Sequence, residues 1–409
     1  MTRVFSLFAA ILMLSCQHRQ DVNQQAADAL TRQLDSISKQ GIFNGFSVAM
    51  VNDKGILYEK GLGMADVAAQ KPYTEQTIQN IASVSKTLIG IALLKAQELG
   101  KLKLDDPINR YLPFEVVNPD FPNDIITIRH LATHTSGILD NEFYMTKNYC
   151  IKSGQDFSKI RKEFDDLQVF NPADSLLTLE KYLYNALSKT GKWRNKDTFV
   201  KTKPGATYEY SNTGATLAAF IIERATGQPF DAFTKQYILE PLGMKASGWH
   251  FKDVDFTRYS RLYADPKTAL PFYTMSTYPD GNFITSAHDL GLFLSELIKA
   301  YDGRGTILNK ESFREYFKPQ LTAENFVTRD EKNPYNDSFN TGIFIGFGYS
   351  GYVGHTGGDP GVTTMLFFDP TRKIGRLLIL NTSFSGKRGG DAFYGIWNAL
   401  EKHQNNFTN

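Results

Sequence analysis

Apolar and polar positions along the chain change their spacing several times, and each change marks an element. Residues 17–40 are mostly polar, with Leu30, Leu34 and Ile37 spaced four and three apart, a spacing that predicts one exposed amphipathic helix after a short tether. Gly45 to Val51 and Gly55 to Tyr58 then read as two strands joined by the turn Asn52-Asp53-Lys54-Gly55. Leu88 to Leu94 is apolar on nearly every side and stops at Gly100, which predicts a helix inside the core. Helical patterning continues to about Leu297, with segments at Ala215 to Thr226 and Ala287 to Lys299, interrupted by a polar stretch from Asp140 to Lys203. Beyond Gly342 strands return as Val362 to Phe368 and Ile374 to Leu380, around the turn Asp369-Pro370-Thr371-Arg372. Asp391 to Lys402 predicts a closing helix. Strands at both ends around a helical middle predict an α/β fold. One sheet is built from both termini, a largely helical insertion covers about residues 81–300, and a cleft lies between the two.

Composition narrows the partners. The chain has 409 residues with 42% hydrophobic and 22% charged positions, ample for a buried core. Lys+Arg of 45 against Asp+Glu of 43 shows no basic excess, so nucleic acid is not an expected partner. Arg3 followed by the apolar run Val4 to Leu14, too short to span a bilayer, predicts an export signal over residues 1–15. Its end, Leu12-Met13-Leu14-Ser15-Cys16, resembles a bacterial lipoprotein signal, which implies lipidation of Cys16, an anchor in a membrane and a periplasm-facing location. The alternative is a secreted protein in which Cys16 is incidental. Cys150, the second of two cysteines, reads as a small packed side chain.

Three short motifs carry chemistry. Ser-x-x-Lys occurs twice, as Ser36-Ile37-Ser38-Lys39 on the polar flank of the first helix and as Ser83-Val84-Ser85-Lys86 at the start of the most apolar one. Only the second lysine is expected to be buried, where desolvation disfavours its ammonium form and lets it take the Ser83 proton. Alone, the pair also reads as a helix-capping serine with a first-turn lysine. Tyr210-Ser211-Asn212, the only Tyr-x-Asn present, offers a phenol as a second proton acceptor and an amide for a substrate amide. Its plain reading is a core aromatic beside a helix cap. His355-Thr356-Gly357-Gly358 ends a glycine-rich run suited to a strand edge that a ligand approaches closely, or to a tight hairpin. The N–H of Gly358, with that of Ser83, is the expected oxyanion hole. His130 and His134 are spaced for zinc but lack the Glu of H-E-x-x-H, so neither a metal nor another cofactor is expected.

In this order the motifs resemble the serine β-lactamase and penicillin-binding-protein superfamily. The resemblance is to its class C branch, which includes D-alanyl-D-alanine carboxypeptidases, D-aminopeptidases and esterases. Leu131 to Gly137, Pro241-Leu242-Gly243-Met244 and Gly354 to Gly361 agree, and the resemblance covers about residues 41–402 as one hydrolase domain. It implies a β-lactamase/transpeptidase-like fold and an acyl-enzyme on Ser83, with Lys86 and Tyr210 sharing the proton transfers. It implies substrate contacts from Asn212, His355, Thr356, Gly357 and Gly358, Asn212 also holding the lysine. His355 stands where class C β-lactamases have lysine, which points toward the peptidase and esterase members. A small molecule or peptide is the implied substrate. Loss of Ser83, Lys86 or Tyr210 would favour a non-catalytic binding or scaffolding protein, and none is lost.

Overall fold

A computed structural model describes residues 23–159, 168–326, 342–347 and 351–407. Cys16, the expected lipidation site, lies outside them. Seven strands form the main sheet: β1 (Gly45–Asn52), β2 (Gly55–Asp66), β3 (Lys71–Pro72), β4 (Gly346–Phe347), β5 (Val353–Asp359), β6 (Val362–Asp369) and β7 (Ile374–Leu380). Their order is β4-β5-β6-β7-β1-β2-β3, with neighbours antiparallel. The two ends of the chain meet where β1 pairs β7, from Phe46 opposite Leu380 to Asn52 opposite Ile374.

Alternation along β1 explains both layers. Phe46, Val48 and Met50 pack into the outer layer, whereas Ala49 and Val51 join the inner core. β7 repeats this, with Leu378 and Leu380 outward and Leu377 and Ile379 inward. A strand covered on both faces reads as one apolar run, which is how the sequence showed it. The outer face is covered by α1 (residues 23–38) and α5 (Gly386–His403). Leu30 and Leu34 are fully buried there with Trp397, so α1 exposes only its polar flank. α5 begins before Asp391, in a glycine-rich stretch of poor helix propensity. Tertiary packing overrides that propensity, and Gly389 admits the Phe384 ring, which a Cβ would meet at 2.9 Å.

The inner face carries α4 (Ala287–Tyr301), packed on β1, β2 and β7. Further in, α2 (Lys86–Glu98) packs against α3 (Asn212–Thr226), and α2 is buried from Lys86 to Leu94. Between β3 and β4 the described residues contribute no strand to the main sheet, only short two-stranded ladders such as Ile78–Asn80 with Ile284–Ser286. Among the described residues no helix is long and apolar enough to cross a membrane. Cys150 is fully buried and burial pushes its thiol up to about 11, consistent with a packing role.

Candidate active site

The first Ser-x-x-Lys is a surface feature: Lys39 is 75% exposed and pairs with Asp35 at 2.5 Å. The second lies in a 3₁₀ turn, Ala82–Ser85, that leads into α2. In 3₁₀ geometry side chains three apart eclipse each other, so Lys86 Nζ donates to Ser83 Oγ at 2.9 Å. Lys86 Nζ also donates to the Asp280 carbonyl at 2.7 Å. The turn is held by Ser85, whose Oγ donates to the Ala82 carbonyl at 2.6 Å and accepts the Phe283 N–H at 3.2 Å. Ala82 adopts φ +49, a left-handed conformation unfavourable for a residue with a Cβ, and the staple holds it there. Ser83 itself is partly exposed among buried neighbours.

Tyr210 reaches the same place from the segment before α3. Lys86 Nζ lies 5.2 Å from its ring centroid, and the His134 ring lies against it at 4.4 Å between centroids. His134 Nδ1 accepts the Ser211 N–H at 3.1 Å, which in a neutral ring leaves the proton on Nε2. Burial, with Lys86 and His355 nearby, holds this imidazole well below its usual range. His134 sits at φ +54, beyond the end of the helix Ile128–Ala132 that carries His130. His130 accepts the Thr127 N–H instead, so the two histidines serve different local structures. Asp140 fixes the start of α3, accepting from Asn212 N at 2.8 Å, Asn212 Nδ2 at 2.9 Å, Thr213 N at 2.8 Å and Thr213 Oγ1 at 2.7 Å. Four donors at a helix N-terminus stabilise a carboxylate there. They also engage one N–H of the Asn212 amide, leaving its second N–H and its oxygen to offer the cleft.

β5 closes the site. A Cβ on Gly357 would stand 2.4 Å from the Ile81 carbonyl and 3.2 Å from Ser83 N, so only glycine lets the strand lie against the Ser83 turn. Gly358 is exposed with open space beside it, while Thr356 is partly buried. His355 is 1% exposed, donates through Nδ1 to the Thr356 carbonyl at 2.6 Å, and lies 6.3 Å from the Tyr210 ring between centroids. It is a wall residue beside Tyr210 and presents no open surface to a substrate carboxylate.

Two carboxyl groups complete the arrangement. Asp280 accepts from Thr216 Oγ1 at 2.8 Å and Tyr144 OH at 3.1 Å, and burial pushes it up to about 6 against the opposing pull of Lys86. Asp359, at the end of β5, accepts from Tyr149 OH at 2.7 Å. Burial raises it as well; the Tyr149 hydroxyl opposes that shift and Asp280 reinforces it. The unfolded chain releases the Asp280 proton near 3.8 and the folded chain only near 6, so native stability should fall as pH rises through that window. Urea unfolding of wild type and Asp280→Asn from pH 4 to 7 should show the difference shifting toward the variant, by up to about 3 kcal/mol, with little change above pH 6. A constant difference would mean that Asp280 is ionised throughout.

Ser83, Lys86, Tyr210, His355 and Gly357 thus meet at one place, with Asn212 at the adjoining helix start. Sequence reasoning missed Ser85, Asp140, Asp280 and Asp359, and weighed His134 for zinc, not as a neighbour of Tyr210. Asp359 had a legible signal, two positions beyond Gly357 on the same strand face; Asp280 and Asp140 had none.

The fold is β-lactamase/transpeptidase-like. It superposes on the octameric penicillin-binding protein homologue from Pyrococcus abyssi with a TM-score of 0.70 at 24% identity, covering 93% of this chain and 77% of the other. It superposes on the D-amino acid amidase from Ochrobactrum anthropi SV3 complexed with D-phenylalanine with a TM-score of 0.67 at 22% identity, covering 92% and 99%. Residues 27–401 match the Beta-lactamase family, and the chain belongs to it. Among sequence relatives, Esterase EstB of Burkholderia gladioli is 31% identical over 248 residues, 58% of this chain and 56% of the esterase. Penicillin-binding protein 4* of Bacillus subtilis (strain 168) is 24% identical over 347 residues, 81% of this chain and 66% of that protein. The match therefore spans between about half and two thirds of the length of these two relatives.

Proposed function

We propose that this protein is an exported serine hydrolase that cleaves an amide or ester bond through an acyl-enzyme on Ser83. The observation that carries the reading is the 2.9 Å hydrogen bond between Lys86 Nζ and Ser83 Oγ, in a site that also holds Tyr210. Ser83 Oγ attacks the substrate carbonyl carbon while its proton passes to the neutral Lys86 amine or to the Tyr210 oxygen. The N–H groups of Ser83 and Gly358 receive the oxyanion. When the carbonyl re-forms, the bond to the leaving nitrogen or oxygen breaks and that atom takes the proton. Water then attacks the ester under the same base, and the Ser83 hydroxyl is restored. Asn212, Thr356 and Gly357 border the substrate, and His355 supports Tyr210.

Family membership and the names of the relatives, among them an esterase and an amidase, support hydrolysis in general. A fluorophosphonate and a fluorescent penicillin test the reading. The first should label the protein, and the labelled peptide should contain Ser83. Labelling at another residue, or none with a folded protein, would refute the acyl-enzyme. The apolar run ending at Cys16 supports export and a lipid anchor facing the periplasm. Metabolic labelling with a palmitate analogue, lost in Cys16→Ser, is the expected result, and labelling that persists in that variant would refute it.

A further inference from the structure

On one face of β5, Gly357 lies against Ser83 N, and Asp359 follows two residues later on that face. A strand advances about 3.3 Å per residue, so the Asp359 backbone lies about 7 Å along β5 from the contact with the nucleophile. The side chain is directed to the Gly281 backbone: a Cβ on Gly281 would meet Asp359 Oδ2 at 2.9 Å. Gly281 adjoins Asp280, whose carbonyl holds Lys86. Asp359 therefore flanks the Ser83–Lys86 pair on the side reached through Gly281, and it remains partly exposed. Its two oxygens are used unequally. Oδ1 accepts from Tyr149 OH at 2.7 Å, and Oδ2 has no hydrogen-bond or ion-pair partner among the described residues.

A partly buried carboxylate with one unengaged oxygen is an unfavourable arrangement until a donor meets it, most of all a charged one. Of the groups near it, Tyr149 already gives its only proton, Asp280 is a second carboxyl group, and Lys86, whose charge favours ionised Asp359, directs hydrogen bonds to Ser83 Oγ and the Asp280 carbonyl. Burial, reinforced by Asp280, opposes ionisation of Asp359 more than the Tyr149 hydrogen bond and Lys86 favour it, and a cation at Oδ2 would relieve that opposition. On a substrate, an ammonium group on the carbon next to the scissile carbonyl stands two bonds from the atom that Ser83 attacks, within reach of a carboxylate placed this way.

We infer that Asp359 is a specificity-determining residue that selects substrates whose acyl part carries a protonated primary amine beside the scissile carbonyl. This rests on the acyl-transfer reading of Ser83, so the test separates the two. Alanine p-nitroanilide, as D and L enantiomers, is compared with propionyl p-nitroanilide, which lacks the amine, in full-length wild type, Asp359→Asn and Asp359→Glu. Fluorophosphonate labelling of Ser83 reports in parallel on the fold and the nucleophile.

Wild type should prefer the amine-bearing substrate by roughly tenfold to a hundredfold in kcat/KM, mostly through KM, the scale of a hydrogen bond to a charged group. In Asp359→Asn, which still labels, the ratio should fall close to one, and Asp359→Glu should retain part of the preference. Wild type that labels at Ser83 but does not discriminate would overturn the inference and leave the hydrolase reading standing. So would an undiminished preference in Asp359→Asn. Absence of Ser83 labelling in folded wild type would instead remove the hydrolase reading and this inference with it.

Discussion

Ser83→Ala is expected to abolish fluorophosphonate labelling and to lower turnover by at least about a thousandfold, the scale seen when a serine nucleophile is lost from a cooperating site. The fold should survive, because a partly exposed hydroxyl is removed and Lys86 keeps its bond to the Asp280 carbonyl. Ser36→Ala is the control. Its Ser-x-x-Lys spacing is the same, but Lys39 is solvent-exposed in its pair with Asp35, so labelling and turnover should match wild type. Intact-protein mass spectrometry after labelling, with circular dichroism for the fold, decides the matter. A labelled Ser83→Ala would show that the nucleophile lies elsewhere.

Lys86→Ala and Tyr210→Phe should each lower turnover by about a hundredfold or more, while the double variant loses much less than the product of the two. In the proposed mechanism both groups serve one proton, and the Lys86 amine stands 5.2 Å from the Tyr210 ring centroid. The measurement is kcat for one p-nitrophenyl ester across the four proteins. Losses that multiply would mean that the two side chains act in separate steps. Lys86→Ala carries a second cost, because it leaves the buried Asp280 carbonyl without this donor. Its thermal unfolding should accordingly occur at a lower temperature than that of Tyr210→Phe.

Much of the architecture was legible because it depends on local periodicity. The apolar runs Gly45 to Val51 and Ile374 to Leu380 became β1 and β7, and the all-apolar Leu88 to Leu94 became the buried middle of α2. Less legible were the limits of β2 and α5. β2 extends past Tyr58 to Asp66 by pairing with β1 and then β3, and α5 begins at a glycine-rich stretch because its apolar face docks on the sheet. Pairing partners and docking surfaces are properties of the folded chain, and local propensity is too weak to report them.

The site divides in the same way. By itself the sequence determined which side chains can carry acyl transfer, since Ser83 and Lys86 lie three residues apart and a single helical turn aligns them. It also offered a glycine-rich strand edge, but that Gly357 lies against the Ser83 turn, a contact only glycine tolerates, was decided by the fold. Tertiary structure alone decided the environment of those groups. Asp280 lies 194 residues from Lys86 yet holds it through a backbone carbonyl, whose position no residue type encodes. Asp140 grips the start of α3 across more than 70 positions, and Tyr149 reaches Asp359 across 210. The chemistry of a side chain is intrinsic and can be read one residue at a time. Its desolvation and its partners arise only when distant segments pack together, which is why Asp280 and Asp140 became visible only in the folded chain.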